Sequence, residues 1–213
     1  MACGCCPRSG YDELFSERQA RRDARRYRRK GLDKAARWIV DAVCAQGVEG
    51  ATVLEPGGGV GAIQIELLKA GAARSAIVEL SRRYEEVAAE LASEARVAER
   101  IERRLGDFAA EENGQADVVV LHRVVCCYPD YERLLSRAAD RAGRVLVFTY
   151  PPRNFASRAL LAVLNVWMAA RGRAFRAFAH PPQALVAVVA ERGLEPYARR
   201  RALVWQGVAF RRR

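Results

Sequence analysis

Thr52-Val53-Leu54-Glu55-Pro56-Gly57-Gly58-Gly59-Val60-Gly61 is the stretch on which the reading of this chain turns. A short apolar strand, Thr52 to Glu55, runs into a bend with four glycines in five residues. Ala62 to Ala70 then reads as a helix, with Ile63 and Leu67 turned inward and Gly71 at its end. Glycines permit positive φ and let a ligand approach the backbone where a Cβ would collide. The helix that follows presents free N–H groups at the same place. A surface turn has no need of such a run directly after a buried strand.

Downstream, strands and helices alternate. Ala76 to Glu79 is a second strand, followed by a long helix through Ala98. Ile101 to Leu105 is a third, less apolar strand ending at Gly106-Asp107, and Asp117 to Leu121 and Arg144 to Tyr150 are buried-type strands. Pro151-Pro152 closes the regular part. Ala156 to Arg171 reads as an inserted amphipathic helix within a helical lid at about residues 152–180, and another helix runs from Pro181-Pro182 to Arg192. Leu194 to Arg199 and Leu203 to Phe210 form a terminal antiparallel hairpin. The order predicts a doubly wound, mostly parallel α/β sheet of seven strands.

Upstream, residues 1–48 read as a basic helical extension ahead of a domain spanning 49–213. The opening Met1 to Gly10 is small and cysteine-rich. Tyr11 to Ala45 is helical, interrupted at Gly31, with Leu32, Ala36, Ile39 and Val43 recurring at helical spacing. Between Arg18 and Arg37 stand ten Lys or Arg against Asp23 and Asp33 alone, within a chain of 213 residues and net charge +11. Such a face suits nucleic acid, an anionic lipid surface or an acidic substrate, and charge alone does not choose among them. The longest apolar run, Ala159 to Ala170, is interrupted by Asn165 and shorter than the roughly 20 residues of a bilayer span. No basic leader with an apolar core opens the chain, and the six cysteines make no disulfide framework, so a reducing cytoplasm is expected.

Two ligands compete for the glycine bend. Gly57, Gly59 and Ala62 satisfy the G-x-G-x-x-G/A dinucleotide fingerprint, with Glu79 near the distance for a ribose. Glu55, Gly57, Gly59 and Gly61 match every defined position of the E/D-x-G-x-G-x-G loop of class I S-adenosylmethionine-dependent methyltransferases, and the chain resembles that family. The helical preface, Gly106-Asp107-Phe108 after the third strand, and the little room for a separate substrate domain favour it. A closer likeness is to magnesium-protoporphyrin O-methyltransferase-like proteins and bacterial relatives. It rests on Arg26-Tyr27-Arg28-Arg29-Lys30-Gly31-Leu32-Asp33 and on the insertion from Pro152 to His180.

The resemblance implies S-adenosylmethionine as cofactor. Glu55, Gly57, Gly59 and Gly61 would face its methionine part and Glu79 its ribose hydroxyls. Asp107 would accept from the adenine amino group, with Phe108 beside the ring. Leu121 and His122 would lie next to the sulfonium and the acceptor. His122, Tyr128 and Tyr150 are the candidates on the substrate side. Methyl transfer from a sulfonium asks mainly for alignment in a dry pocket, and a general base is needed only where the acceptor must lose a proton. His180 reads as a loop residue. The Thr149-Tyr150-Pro151-Pro152 run has the wrong order and the wrong strand for the signature of base-amino methyltransferases.

Leu160, Leu161, Leu164, Trp167 and Met168 give the inserted helix an apolar face that fits the core, a cover for an apolar substrate or a peripheral membrane contact. No metal site is expected: Cys3, Cys5, Cys6 and the Cys126-Cys127 pair lack zinc-ligand spacing. The leading expectation is a methyltransferase acting on a small or medium-sized organic molecule. A nucleic-acid methyltransferase gripping phosphates with the basic helix, and a regulatory protein that binds the cofactor without turnover, are the alternatives.

Overall fold

The computed structural model describes residues 15–111 and 114–213. The cysteines at positions 3, 5 and 6 and the expected helix start at Tyr11 lie outside them.

Helix α1 (Glu17–Lys30) begins where the Ser16 hydroxyl accepts from Gln19 N–H and ends at Gly31, whose φ of +65° turns the chain. Asp33 caps α2 (Lys34–Cys44), accepting from Ala35 and Ala36 N–H at 2.8 and 3.0 Å. There follow β1 (Thr52–Pro56), α3 (Ala62–Lys69), β2 (Arg74–Glu79), α4 (Glu85–Glu94), β3 (Ile101–Leu105), β4 (Ala116–Leu121), α5 (Tyr131–Arg141) and β5 (Ala142–Tyr150). The chain then forms α6 (Phe155–Ala170), α7 (Pro182–Ala190), β6 (Leu194–Arg200) and β7 (Gln206–Arg212). The helix expected to reach Ala98 stops at Glu94, because Arg96 takes a left-handed φ of +58°.

The seven strands run β3-β2-β1-β4-β5-β7-β6, and β7 alone is antiparallel to its neighbours. Chain order reverses between β1 and β4, so the loops after these strands diverge and leave a crevice at the carboxyl edge. Alternation explains the uninterrupted apolar strands. Val118, Val120, Val145 and Val147 pack into one layer with Ile39, Val43 and Leu67, whereas Val119, Leu121, Leu146 and Phe148 face the other with Leu134, Leu185 and Phe210. Helix α2 is part of the first layer. A Cβ on Gly207 of β7 would lie 2.4 Å from the Trp38 ring, so glycine there makes room for the indole, and the Tyr197 hydroxyl donates to Ala42 O at 2.8 Å.

Two apolar stretches depart from their sequence reading. Leu161, Leu164 and Met168 of α6 turn inward, but Leu160 and Trp167 face outward with Phe155, Val163 and Val166. The face is therefore divided between core and solvent. Leu203, expected in the final strand, stands exposed with Val204 in the β6–β7 connection.

Candidate functional site

The glycine bend lies at the reversal point. Gly57, Gly59 and Gly61 all have left-handed φ, of +65°, +54° and +76°. At Gly57 a side chain is excluded twice over, by backbone conformation and because its Cβ would lie 2.7 Å from Val124 Cγ2 in the loop after β4. Gly57 N–H donates to Val78 O at 2.8 Å, tying the bend to the tip of β2.

Three carboxylates stand at successive strand tips. Glu55 is buried at the end of β1 and accepts from Gln64 Nε2 at 3.0 Å; burial pushes its pKa up to about 7. Glu79 is also buried. Its Oε2 accepts from Gly59 N–H at 3.0 Å and its Oε1 from Leu80 and Ser81 N–H at 2.9 and 3.2 Å. Burial raises its pKa against the pull of those donors and of Arg103. The Arg103 guanidinium holds the bend from behind, donating to Gly59 O at 3.0 Å and to Glu85. Asp107, after β3, accepts from Ala109 N–H at 3.0 Å and from the Tyr128 hydroxyl at 3.1 and 3.2 Å, beside the buried Phe108.

These groups form the floor of a cavity of about 440 Å³. Its roof comes from the N-terminal helices: Phe15, Gln19, Asp23, Tyr27 and the α1–α2 turn with Leu32 and Asp33. Asp33 forms an ion pair with Arg123 and a longer one, at 3.7 Å, with Arg26. Burial works against the charge on Asp33, but the Ala36 N–H bond and Arg123 hold its pKa below the usual carboxylate value. Arg123 has a left-handed φ of +61°, lies 5.1 Å from the Trp205 ring and donates its N–H to Thr149 Oγ1 at 3.0 Å. His122 Nδ1 is 3.1 Å from the same hydroxyl, and removal from water beside Arg123 depresses its pKa to about 3. The imidazole is neutral at ordinary pH and a weak base.

Of the residues singled out from sequence, the cavity wall gathers Glu55, Gly57, Gly59, Glu79, Asp107, Phe108, His122 and Tyr128, and leaves out Gly61, Leu121 and Tyr150. Gly61 caps α3, Leu121 is fully buried in the sheet, and Tyr150 packs beside Phe148 with ring centroids 5.8 Å apart. Tyr128 reaches the cavity on the Asp107 side, not opposite it. His180 lies outside the wall, its Nε2 3.0 Å from Tyr128 O. Cys127 lines the cavity; its Sγ is 3.6 Å from that of Cys126, and both thiols contact Arg123 O. Among the described residues no group of three or more His, Cys, Asp or Glu could hold a metal.

The roof was not assigned from sequence. Its one local signal is Gln19, Asp23 and Tyr27, three residues other than Lys or Arg at i, i+4 and i+8 along an arginine-rich helix. The basic helix is also partly neutralised: Arg21 pairs with Glu17 at 2.8 Å and Arg28 with Glu94 at 2.7 Å.

A family model described as a methyltransferase domain matches residues 20–198. No curated protein matches the chain. Among solved structures, magnesium protoporphyrin IX methyltransferase (ChlM) from Synechocystis PCC 6803 with bound SAH is similar, with a TM-score of 0.70, 19% identity, and coverage of 84% of this chain and 83% of that one. An O-methyltransferase family protein from Burkholderia thailandensis gives 0.66 at 21% identity, covering 85% of this chain and 57% of its own. Geranyl diphosphate C-methyltransferase from Streptomyces coelicolor A3(2) gives 0.65 at 15% identity, covering 84% and 78%. At these identities the likeness is one of fold.

Proposed function

The chain belongs to the methyltransferase domain family, and from that premise we propose that it moves a methyl group from S-adenosylmethionine to a small or medium-sized organic acceptor. One observation carries the reading of the cofactor. Glu79 is fixed at the tip of β2 by three backbone N–H groups, beside a bend where Gly57 leaves no space for a Cβ. The carboxylate retains acceptor capacity on its oxygens, and two adjacent ribose hydroxyls suit it. Asp107 serves the adenine amino group and Phe108 its ring. Glu55, when ionised, offers the cationic end of the cofactor a negative charge.

S-adenosylmethionine supplies an activated methyl on a sulfonium, so the remaining work is alignment and exclusion of water. The roof residues close the cavity over the strand tips. His122, neutral and hydrogen-bonded to Thr149, orients the acceptor and is too weak a base to deprotonate it. An acceptor that is already anionic needs no base. The enclosed cavity under α1, together with the pairing of Arg21 and Arg28, supports a small acceptor over a nucleic acid.

S-adenosylhomocysteine is expected to raise the melting temperature, and Asp107→Ala to weaken that rise. No binding at millimolar ligand in a calorimetric titration would overturn the assignment. Binding without methyl transfer to any organic acceptor would instead identify a cofactor-dependent regulator.

A further inference from the structure

We propose that the outer face of α6, together with the β6–β7 connection, docks on the surface of an anionic lipid bilayer. Phe155, Leu160, Val163 and Val166 are 89, 69, 67 and 70% exposed, and Trp167 is 42% exposed. Leu160, Val163 and Trp167 follow one another at spacings of three and four, so they share one side of the helix. That row is left over after the helix is seated, because its inner side already packs Leu161 and Leu164 against Phe175 and Ala177.

The second apolar point adjoins it. Tyr150 at the end of β5 pairs with Gln206 at the start of β7. The segment leading to α6 and the β6–β7 connection therefore leave the sheet at the same corner. In that connection Leu203 and Val204 are 91 and 67% exposed. Large apolar side chains presented together in this way mark an interaction surface.

Charge selects the partner. Between Ala142 and Ala190 there is no Asp or Glu, while Arg153, Arg158, Arg171, Arg173 and Arg176 all fall there, and Arg199 to Arg201 flank the exposed connection. The Arg171 and Arg173 guanidinium carbons lie 4.0 and 5.6 Å from the centre of the Trp167 ring, which sets cations beside an aromatic residue as at a lipid headgroup layer. A second copy of the chain placed symmetrically on this face would bring the arginines against one another. Among the described residues no helix is long and apolar enough to cross a membrane, so the contact is with the surface.

Flotation of the full chain with vesicles tests this, using phosphatidylcholine alone and phosphatidylcholine mixed with phosphatidylglycerol. Binding is expected to be at least about tenfold greater on the anionic vesicles. The double variant Leu160→Glu, Val163→Glu should lose it, with an unchanged melting temperature and unchanged S-adenosylhomocysteine binding. If that variant does not fold, Leu160→Asn with Val163→Asn takes its place. Equal binding to both vesicle types, full binding by the folded variant, or a wild-type dimer that the variant converts to monomer would overturn the proposal.

Discussion

Glu79 and Asp33 both line the cavity, and both are carboxylates held by backbone N–H groups, yet they belong to different kinds of construction. Glu79 takes its donors from its immediate successors, Leu80 and Ser81, and from the bend twenty residues earlier. Asp33 caps its own helix and reaches Arg123, ninety residues away, to hold the roof against the loop after β4. The floor is thus set by one βαβ unit, whereas the roof exists only when distant segments meet. Binding of the donor should depend on the first, and confinement of the acceptor on the second.

The largest expected effect breaks the floor alone. Glu79→Ala removes the acceptor for Gly59 N–H and, on the proposed function, for the ribose hydroxyls, so affinity for S-adenosylhomocysteine should fall ~100-fold, roughly 3 kcal/mol, in a calorimetric titration. Undiminished affinity would remove the basis for assigning the floor to the donor.

An intermediate effect concerns Glu55, whose folded-state pKa of about 7 lies above its ordinary 4.5. The folded protein holds this proton more tightly than the unfolded chain. Its stabilising contribution is therefore complete below pH 4.5 and lost as pH rises through 7. Glu55→Gln should leave the melting temperature unchanged at pH 4 and raise it at pH 8, by about 5 °C for a gain on the order of 2 kcal/mol. The preference of the wild type for S-adenosylmethionine over S-adenosylhomocysteine should grow across the same interval, and in Glu55→Gln it should be flat. A variant with no pH-dependent gain would show that the buried carboxyl is not the titrating group.

The smallest effect sharpens the roof. Asp33→Ser keeps a capping oxygen and gives up the ion pair with Arg123, which is worth about 1 kcal/mol once solvent screening of the partly exposed guanidinium is allowed for. Thermal melts should record that loss, and the KM for the acceptor should rise severalfold while S-adenosylhomocysteine affinity holds. Equal loss of donor affinity would mean that roof and floor act as one unit.

This division also explains what could be read in advance. The strands were legible because buried parallel strands are near-continuous apolar runs, and the bend because glycine at Gly57 answers to a backbone demand that appears in the sequence itself. Glu79 and Asp107 followed from their positions at strand ends. The Asp33–Arg123 pair left no such trace, since neither residue's neighbours encode a partner ninety positions away. Tyr150 was misjudged for a related reason: a strand end next to the bend's strand usually faces the crevice, but here the Phe148 ring and the antiparallel β7 enclose it. The face of α6 was half readable. Apolar spacing located the helix, but spacing does not say which of two apolar sides finds a neighbour.

The seating of Trp38 over Gly207 bears on how the molecule is made. A ribosome releases α2 long before β7, so the indole and the backbone that receives it are separated by most of the time of synthesis. Until β7 emerges, the apolar side of α2 lacks this partner, and the nascent chain must pass that interval with the surface open to chaperones or to misassociation.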